Sequence, residues 1–265
     1  MKKKRTKIYQ ITKIKNGLSQ TIEDEVVEES PLSIFLNEKR IVTLMCTPQD
    51  QKYLSLGFLF SEGLIKQKGQ IKKVLFSAKK NEVKIFTKTV HKIPKITSEM
   101  SISTSGCGKG KSLQKIEDLD PLKDVLFNLD FTLSIDKIAE LMTGLERKSS
   151  IFRLTGGTHS AGLADKNRIL FFNEDIGRHN AVDKVLGEGF SRKIALKDKL
   201  LISSGRVSSD ILLKTGKVGI SIVISRSAPT SLAIQIAQRL GITIVGFARG
   251  KRMNVYTYPF RIKTN

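Results

Sequence analysis

The sequence predicts an α/β fold in which a covered, mainly parallel sheet forms the C-terminal part of the chain. Three short apolar segments, at 199–202, 219–225 and 242–246, have the length of buried strands. Segments with helical spacing lie between them, most clearly at 231–240. Strands that alternate with helices of about ten residues favour parallel pairing, with helices packed on the sheet.

A smaller mixed α+β domain is predicted over residues 1–130, ahead of the α/β domain at 131–265. Its clearest element is a hairpin, because two apolar runs at 32–36 and 40–43 flank the polar turn 37–39. The two-domain division follows from this change of pattern along the chain, since the alternation of strands and helices begins only in the second half.

Two helices outside the parallel sheet have recognisable starts. Thr47 followed by Pro48 predicts a helix with Thr47 as its N-cap, and Gly63 ends it. The segment 133–147 has apolar residues at helical spacing, and Ser134 is placed to cap it. These signals fix the approximate bounds of both helices.

The other N-terminal segments have weaker patterns. Residues 1–20 are basic and are predicted to be a loose lead-in or an edge strand, and residues 71–97 are predicted to form two or three exposed strands. Residues 101–111 are small, polar and rich in glycine, which is typical of a loop.

Composition excludes several classes of protein. No apolar run approaches the roughly 20 residues of a membrane helix, and the basic start Met1–Arg5 is not followed by the apolar stretch of a signal peptide, so a cytoplasmic protein is expected. With two cysteines in the chain, a disulfide framework and a paired-cysteine zinc site are not expected. The H-x-E and P-C-x-x-C signatures of zinc nucleobase deaminases are also absent from the sequence.

The formal net charge of +21 favours anionic partners. Nucleic acid, a phosphorylated ligand and an acidic protein all fit this charge, and a lysine-rich surface without a specific partner is the plain alternative. Because no nucleic-acid-binding motif is present, nucleic acid is not the expected partner, and RNA binding is kept as a rival hypothesis.

Cys107 is the strongest candidate for covalent chemistry. Gly106 and Gly108 on either side leave its sulfur unshielded, and Lys109 and Lys111 favour the thiolate, which is the reactive form. The alternative is an incidental cysteine in a turn. The second cysteine, Cys46, ends an apolar run and is predicted to be a core residue.

Two polar segments are candidates for a binding site. The first, 155–162, carries His159 after a Gly-Gly pair, and the second, 174–184, carries Arg178, His179 and Asn180. A functional interpretation places these four side chains around one cleft. A structural one makes His159 a hydrogen-bonded loop residue and Asn180 the cap of the following helix.

The strand-to-helix loops of the parallel sheet predict an anion site. In open α/β sheets, ligands bind beyond the carboxyl ends of strands, where helix N-termini present free N–H groups. The loop 203–206 contains Arg206, and the loop 225–230 contains Arg226 and Ser227. Further cations follow the third strand at Arg249, Lys251 and Arg252. The sequence has neither a Walker P-loop nor a G-x-G-x-x-G motif, so the ligand is predicted to be anionic and nucleotide-like but not held by a standard NTPase or dinucleotide loop.

These motifs together resemble the FdhD family, the sulfur carriers needed for active formate dehydrogenase. The matching stretches run in family order from about residue 28 to 257. They are E-S-P-L at 29–32, M-C-T-P at 45–48, G-F-L-F-S-E-G at 57–63, T-G-G-T-H at 155–159, E-D-I-G-R-H-N-A-V-D-K at 174–184, S-G-R at 204–206, S-A-P-T at 227–230 and G-F-A-R-G at 246–250.

The resemblance implies a sulfurtransferase of molybdenum cofactor biosynthesis. A cysteine desulfurase would load Cys107 as a persulfide, and the sulfur would pass to Mo-bis(molybdopterin guanine dinucleotide) for formate dehydrogenase. The resemblance also implies a cytidine-deaminase-like C-terminal domain without zinc, and a homodimer. The family's cofactor-binding segment corresponds here to Phe247, Ala248, Arg249, Gly250, Lys251 and Arg252.

One departure from the family pattern keeps an alternative open. Many members carry C-x-x-C in the loop, whereas this chain has Cys107 alone. A single cysteine holds a persulfide but does not resolve it as an internal disulfide. The alternative is therefore a chaperone that binds the cofactor or guanine nucleotides without covalent sulfur chemistry.

Overall fold

A computed structural model describes residues 5–88 and 131–264 of the chain. The N-terminal residues form a long antiparallel hairpin from strand β1 (Thr6–Lys15) and strand β2 (Leu18–Val27). Its two-residue turn, Asn16–Gly17, has positive φ at both positions, as type I′ turns require. The sequence prediction of a loose lead-in or edge strand at 1–20 is thus wrong in extent, because the polar strands hid the alternation that marks a hairpin.

A four-stranded sheet follows, with strand order β4-β3-β6-β5. The predicted hairpin at 32–43 is confirmed, and its Asn37 and Glu38 have positive φ in the turn. The bounds are β3 Ser30–Leu36, β4 Lys39–Cys46, β5 Ile71–Ser77 and β6 Glu82–Thr87, with helix α1 at Gln51–Ser61 on the inner face. Part of the predicted exposed strand region, beyond residue 88, lies outside the described residues.

A six-stranded mixed sheet forms the C-terminal body, with three parallel strands at its centre. The predicted parallel strands are confirmed, and antiparallel strands flank them on both sides. Their order is β13-β12-β11-β10-β8-β9, with β8 His159–Ala164, β9 Ile169–Asp175, β10 Leu200–Ser203, β11 Ile222–Ser225, β12 Thr243–Arg249 and β13 Arg252–Val255. A short pair joins β7 (Leu133–Ser134) to β14 (Ile262–Lys263).

Helices cover both faces of this sheet, because its strands are apolar on both sides. In β10, Leu201 faces helices that follow the strands, while Leu200 and Ile202 face the helix that precedes β8. The covering helices are α2 Ile135–Lys148 with the short α3 Ser150–Thr155, and, on the other face, α4 Arg178–Ser191, α5 Ser209–Lys217 and α6 Ser231–Leu240. The predicted cap of α2 is confirmed, since Ser134 Oγ accepts a hydrogen bond from the Lys137 N–H at 3.2 Å.

Helices α1 and α4 cross in unusually close contact, which joins the N-terminal sheet to the C-terminal body. A methyl group on Gly57 of α1 would lie 1.7 Å from the Asp183 carbonyl oxygen, and one on Gly187 of α4 would lie 1.9 Å from the Tyr53 carbonyl oxygen. Only glycine allows the two backbones to approach in this way. The crossing therefore depends on both glycines.

Two local predictions from the sequence are wrong. Helix α1 begins at Gln51 with Asp50 as the N-cap residue, not at Thr47, because the Thr47 hydroxyl is used in a buried network described below. His159, which the structural interpretation takes as a loop residue, instead begins strand β8 and pairs with Asp175, and the Gly-Gly pair before it obscured the strand. Among residues 5–88 and 131–264, no helix combines the length and apolarity needed to cross a membrane.

Candidate anion-binding site at the carboxyl edge of the sheet

The sheet places most of the candidate residues at one edge. Strand β8 runs antiparallel to β10, and Ala161 pairs with Ser203, so the start of β8 lies beside the end of β10. His159 likewise pairs with Asp175 at the end of β9. The loops after β9, β10, β11 and β12 therefore all open at this edge, as predicted for ligand sites in open α/β sheets.

Backbone and hydroxyl hydrogen bonds hold the loops after β10 and β11 against each other. Arg226 N–H donates to the Ser203 carbonyl at 3.0 Å, and Ser225 Oγ donates to the Gly205 carbonyl at 2.7 Å. Val207 and Pro229 form an isolated parallel bridge further along both loops. The two loops thus form one platform whose geometry is set by short-range bonds.

Gly205 lets this platform approach helix α4. A side-chain carbon at position 205 would lie 2.8 Å from Arg178 Cβ and 3.5 Å from His159 Nδ1. A side chain at this position would therefore clash with Arg178 and would reach ordinary van der Waals contact with His159. The structure thus brings His159, Arg178 and the loop at Gly205–Arg206 together. Arg206 itself is exposed to solvent in the loop after β10.

Both histidines of the edge have lowered pKa values. Burial, Arg178 and Arg206 lower the pKa of His159 below its ordinary value. Burial, followed by Arg178 and Lys214, lowers the pKa of His179 to about 4. Both imidazoles are therefore neutral at neutral pH, and the positive charge of the edge comes from its arginines.

His179 lies on the inner side of this edge, at the first turn of α4. Its Nε2 lies 3.4 Å from Ser208 Oγ and 3.9 Å from Asp210 Oδ2, both of which belong to the start of α5. This arrangement leaves the His179 side chain mostly buried and links α4 to α5 rather than exposing the ring widely to solvent.

The lowered pKa of His179 makes folding depend on pH. The unfolded chain binds a proton at His179 near pH 6.5, while the folded chain does so only near pH 4. This contribution to stability is complete above pH 6.5 and is lost as the pH falls to 4, by up to about 3 kcal/mol. Urea unfolding across this range is expected to show a weaker pH dependence for His179→Gln than for the unsubstituted protein; equal slopes would contradict the prediction.

The segment after β11 and the end of β12 form the other side of the edge. The Phe247 N–H donates to the Ser227 carbonyl at 3.2 Å, which places Ser227 against the predicted cofactor segment. Phe247 has φ of 51° at a register shift between Gly246 and Arg249. A non-glycine residue in the left-handed region is strained, and such strain is common at binding sites.

The six residues of that segment have different surroundings. Ala248 is fully buried and packs in the core beneath the sheet, so its side chain does not face the edge. Arg249, Gly250 and Arg252 are exposed in the hairpin between β12 and β13. Lys251 is exposed and forms an ion pair with Asp136 at 2.9 Å.

Asn180 is used in a buried network and not at the open edge. Its amide donates to the Met45 carbonyl at 2.8 Å and to Asp175 Oδ1 at 2.9 Å. Asp175 Oδ2 forms a fully buried ion pair with Lys184 at 2.7 Å, and Lys184 also donates to Thr47 Oγ1 at 2.6 Å. This network joins β4 and the following turn to α4, and Gly177 rather than Asn180 is the N-cap residue of α4.

The Glu174 carboxylate is likewise structural. It accepts hydrogen bonds from the N–H groups of Ile151 and Phe152 at 3.1 and 2.8 Å, and from Thr158 Oγ1 at 3.1 Å. A carboxylate at this position satisfies the free N–H groups of α3 and complements its dipole. Glu174 therefore fixes α3 and the loop that leads to His159.

A second buried ion pair lies behind His179, and the sequence interpretation missed it. Lys214 Nζ contacts Asp183 Oδ2 at 3.0 Å, Glu62 Oε1 at 2.9 Å and Ser61 Oγ at 2.8 Å. Burial lowers the pKa of Lys214, but the two carboxylates outweigh it, so the net shift is upward and the ammonium group stays charged. A lysine among the apolar residues of a short helix was the signal available in the sequence.

The cysteine predictions have different outcomes. Cys46 is fully buried in the N-terminal core, as predicted, and burial together with Asp175 raises the pKa of its thiol to about 12. Cys107 and its loop lie outside the described residues. Within residues 5–88 and 131–264, no cluster of three or more His, Cys, Asp or Glu side chains is placed to hold a metal ion.

Comparison with known proteins identifies the family. The family model described as FdhD/NarQ matches residues 27–263, which is most of the chain. The protein belongs to the FdhD/NarQ family. The matched region includes both the four-stranded sheet and the six-stranded sheet, while strand β1 and most of β2 precede it.

Several FdhD relatives are similar to this chain over nearly their full length. The sulfur carrier protein FdhD of Bacillus pumilus is 42% identical over 241 residues, 90% of either chain. The sulfur carrier protein FdhD of Bacillus subtilis is 38% identical over 267 residues, 99% of this chain and all of that one. A crystal structure of a putative formate dehydrogenase accessory protein from Desulfotalea psychrophila superposes with a TM-score of 0.80 at 27% identity, covering 98% of this chain and 100% of that chain.

Proposed function

We propose that this protein carries sulfur on Cys107 from a cysteine desulfurase to Mo-bis(molybdopterin guanine dinucleotide), the cofactor of a formate dehydrogenase. The close relatives named sulfur carrier proteins support the sulfur-carrier role. The similar structure named as a formate dehydrogenase accessory protein supports the client enzyme. The proposal includes a homodimer and, for the C-terminal body, a cytidine-deaminase-like fold that works without zinc.

The arginine-lined edge is the observation that supports binding of this cofactor. Its guanine dinucleotide portions carry pyrophosphates, which arginine side chains and helix N-termini bind through N–H groups. Arg178, Arg206 and Arg249 provide the charge, and neutral His159 and His179 provide hydrogen-bonding groups that do not need to lose a proton. Ser227 and Phe247 lie together on the opposite side.

The covalent step is a thiol–disulfide-type exchange. The Cys107 thiolate attacks the outer sulfur of the desulfurase persulfide, so a new S–S bond forms on Cys107 while the S–S bond of the desulfurase breaks. The desulfurase cysteine leaves as a thiolate. The outer sulfur is then carried on Cys107. Its transfer to the bound substrate cofactor would break the S–S bond on Cys107 and return the Cys107 thiolate, and the molybdenum would supply the two electrons that reduce the sulfur to the sulfide level.

The test is mass spectrometry of the full chain after incubation with a desulfurase and cysteine. An added mass of about 32 Da on the peptide that contains Cys107, removed by dithiothreitol, is the expected result. Cys107→Ala is expected to lose the adduct and to abolish formate dehydrogenase activity in cells. The control is a desulfurase preparation that transfers sulfur to another acceptor. If the mass of this protein stays unchanged with that preparation, the result contradicts sulfur loading of Cys107.

A matched pair of variants separates the sulfur carrier from the chaperone alternative. If the protein only binds the cofactor, Cys107→Ala supports formate dehydrogenase activity, while Arg249→Ala does not. If it carries sulfur, both variants fail in cells, but Arg249→Ala still accepts the persulfide in vitro. Lys263→Ala, an exposed cation outside the edge, is the control expected to behave as the unsubstituted protein.

A further inference from the structure

The two faces of the four-stranded sheet have different surroundings. Helix α1 packs on the inner face, where Ile34 of β3 and Ile85 of β6 are fully buried. Along β3 and β6, the residues that alternate with the buried ones are partly or fully exposed. Because successive side chains of a strand point to opposite faces, these exposed residues lie on the other side of the sheet, here called the outer face.

The strand register places two phenylalanines and two lysines next to each other on the outer face. Phe35 of β3 pairs with Lys84 of β6, and Lys84 Nζ lies 5.2 Å from the centre of the Phe35 ring. Phe86, two residues further along β6, pairs with Lys73 of β5. Paired residues share a face of the sheet, as do residues two apart on one strand. Each ring therefore has an ammonium group as its neighbour.

The two rings lie on adjacent central strands of the sheet. They are offset by one strand and two residues, which separates their Cα atoms by about 8 Å. Both side chains are half-buried, so part of each ring remains open to contact. Four-stranded sheets with aromatic side chains on an open face stack two or three unpaired bases in RNA-binding domains. Phe35 and Phe86 offer two such stacking positions.

The outer face lies in a strongly basic part of the chain. Residues 64–88 contain eight lysines and one acidic residue, Glu82. None of these lysines forms an ion pair with another residue of 5–88 or 131–264. Lysines without a carboxylate partner bind phosphates without first breaking an ion pair, and the counterions that they release favour binding of a polyanion.

We propose that the outer face binds single-stranded nucleic acid, with bases stacked on Phe35 and Phe86 and phosphates held by Lys73 and Lys84. When a base stacks on Phe35, the Lys84 ammonium group moves from the ring to a phosphate. Stacking is tolerant of sequence, because every base has a π face.

The rings and the lysines together select this class of ligand. The carboxylates of an acidic protein would pair with the lysines but would leave both rings without a stacking partner. A duplex offers its phosphates, but its bases are stacked on each other and do not reach the rings. A single strand offers phosphates and unpaired bases at the same time.

This inference is independent of the proposed function and of Cys107. The candidate anion site lies on the six-stranded sheet, so the two surfaces are tested separately. The sequence has no nucleic-acid-binding motif because Phe35 and Phe86 are 51 residues apart, and it is the pairing of β3 with β6 that brings them together.

Tryptophan fluorescence tests the stacking, because the chain has no tryptophan of its own. Phe86→Trp puts an indole ring on the outer face, and its emission is expected to be quenched when short oligo(dT) or oligo(U) is added to the full chain. Phe76→Trp is the matched control, because Phe76 pairs with the fully buried Val83 and therefore lies on the α1 side of the sheet. Its emission is expected to change little. Quenching by either oligomer supports the proposal, and tighter binding of oligo(U) would indicate a contact with the 2′-hydroxyl.

Fluorescence anisotropy of labelled oligo(dT) measures the contribution of each ring at physiological salt. Phe35→Leu and Phe86→Leu keep an apolar side chain for packing but remove the ring. Each is expected to weaken binding about 5- to 100-fold. Circular dichroism verifies that both variants are folded.

The same assay separates the outer face from the general charge of the protein. K73E/K84E is expected to weaken binding at least about 10-fold, and the slope of log K against log salt is expected to fall by about 0.7 for each lysine that contacts a phosphate. K52E/K197E changes the net charge by the same amount at exposed lysines on α1 and in the loop before β10. It is expected to weaken binding much less.

Four results would overturn the inference. The first is an unsubstituted protein that binds neither oligomer at physiological salt. The second is an equal loss of affinity in the two charge-reversal variants, which would show general attraction to a basic protein, and the third is equal quenching in the two tryptophan variants. The fourth is poly-glutamate that binds as tightly as oligo(dT) while both leucine variants keep full affinity, because the outer face would then be a docking surface for an acidic protein.

Discussion

Replacing Gly57 or Gly187 by alanine is expected to lower the free energy of unfolding by at least about 3 kcal/mol. The added methyl group would overlap a backbone carbonyl oxygen of the facing helix, at 1.7 Å for Gly57 and 1.9 Å for Gly187. Neither a rotamer change nor a small side-chain shift relieves contact with backbone atoms. Helices α1 and α4 must separate, which also disturbs the ion pair between Lys214 and Asp183.

Urea unfolding followed by circular dichroism measures this effect, and Gly144→Ala is the matched control. Gly144 also lies within a helix, but a methyl group there would meet the flexible end of Ile169 at 3.3 Å. Because alanine favours helices over glycine by about 1 kcal/mol, Gly144→Ala is expected to be neutral or mildly stabilising. Similar midpoints for Gly57→Ala and Gly144→Ala would refute the close crossing.

Lys184→Met is expected to destabilise the protein by about 3–5 kcal/mol. The substitution leaves the Asp175 carboxylate fully buried without its positive partner, although Thr47, Gly177 and Asn180 still donate hydrogen bonds to it. Methionine fills a similar volume, so the loss is due to charge rather than to a cavity. Lys197→Met, at an exposed position, is expected to change stability little.

A double variant separates the pair interaction from the cost of the lone charge. Asp175→Asn in the Lys184→Met background removes the remaining charge and keeps an oxygen that accepts hydrogen bonds. The double variant is therefore expected to be more stable than Lys184→Met alone. Additive losses in the same unfolding assay would show that the two side chains act independently.

The parallel strands and their helices were predictable because their signals are local. Helix α6 has an apolar face and Thr230 as its cap, and the structure gives it the bounds that the sequence predicted. Helix α2 begins after Ser134 for the same reason. In both helices, the residues that determine where the helix begins and which face is buried lie within the helix or next to it.

The predictions for Thr47 and Asn180 were wrong because the hydrogen-bond partners of these residues lie far away in the sequence. Thr47 has the local signature of an N-cap, but Asp175 and Lys184 take its hydroxyl. Asn180 likewise has a distant partner, because its side-chain amide donates a hydrogen bond to the carbonyl of Met45 on β4. More than 100 residues separate the two in sequence. Periodicity and capping rules contain no information on such contacts.

The candidate site was predicted in part. His159, Arg178 and Arg206 do lie together, because each belongs to a segment that ends at the same edge of the sheet. The functional interpretation also places Asn180 at the cleft, but its amide is held in the buried network of Asp175 and Lys184. A dense polar motif thus contains both the residues that support the edge and those that line it, and the sequence does not separate the two.

The enclosed Cys46 thiol has a practical consequence for labelling. A thiol with a pKa of about 12 in a closed core is not ionised at neutral pH and does not meet an alkylating reagent in the native state. Because the chain has two cysteines, any native-state attachment of a fluorophore or spin label reports position 107. A thiol-directed label therefore needs no prior replacement of Cys46.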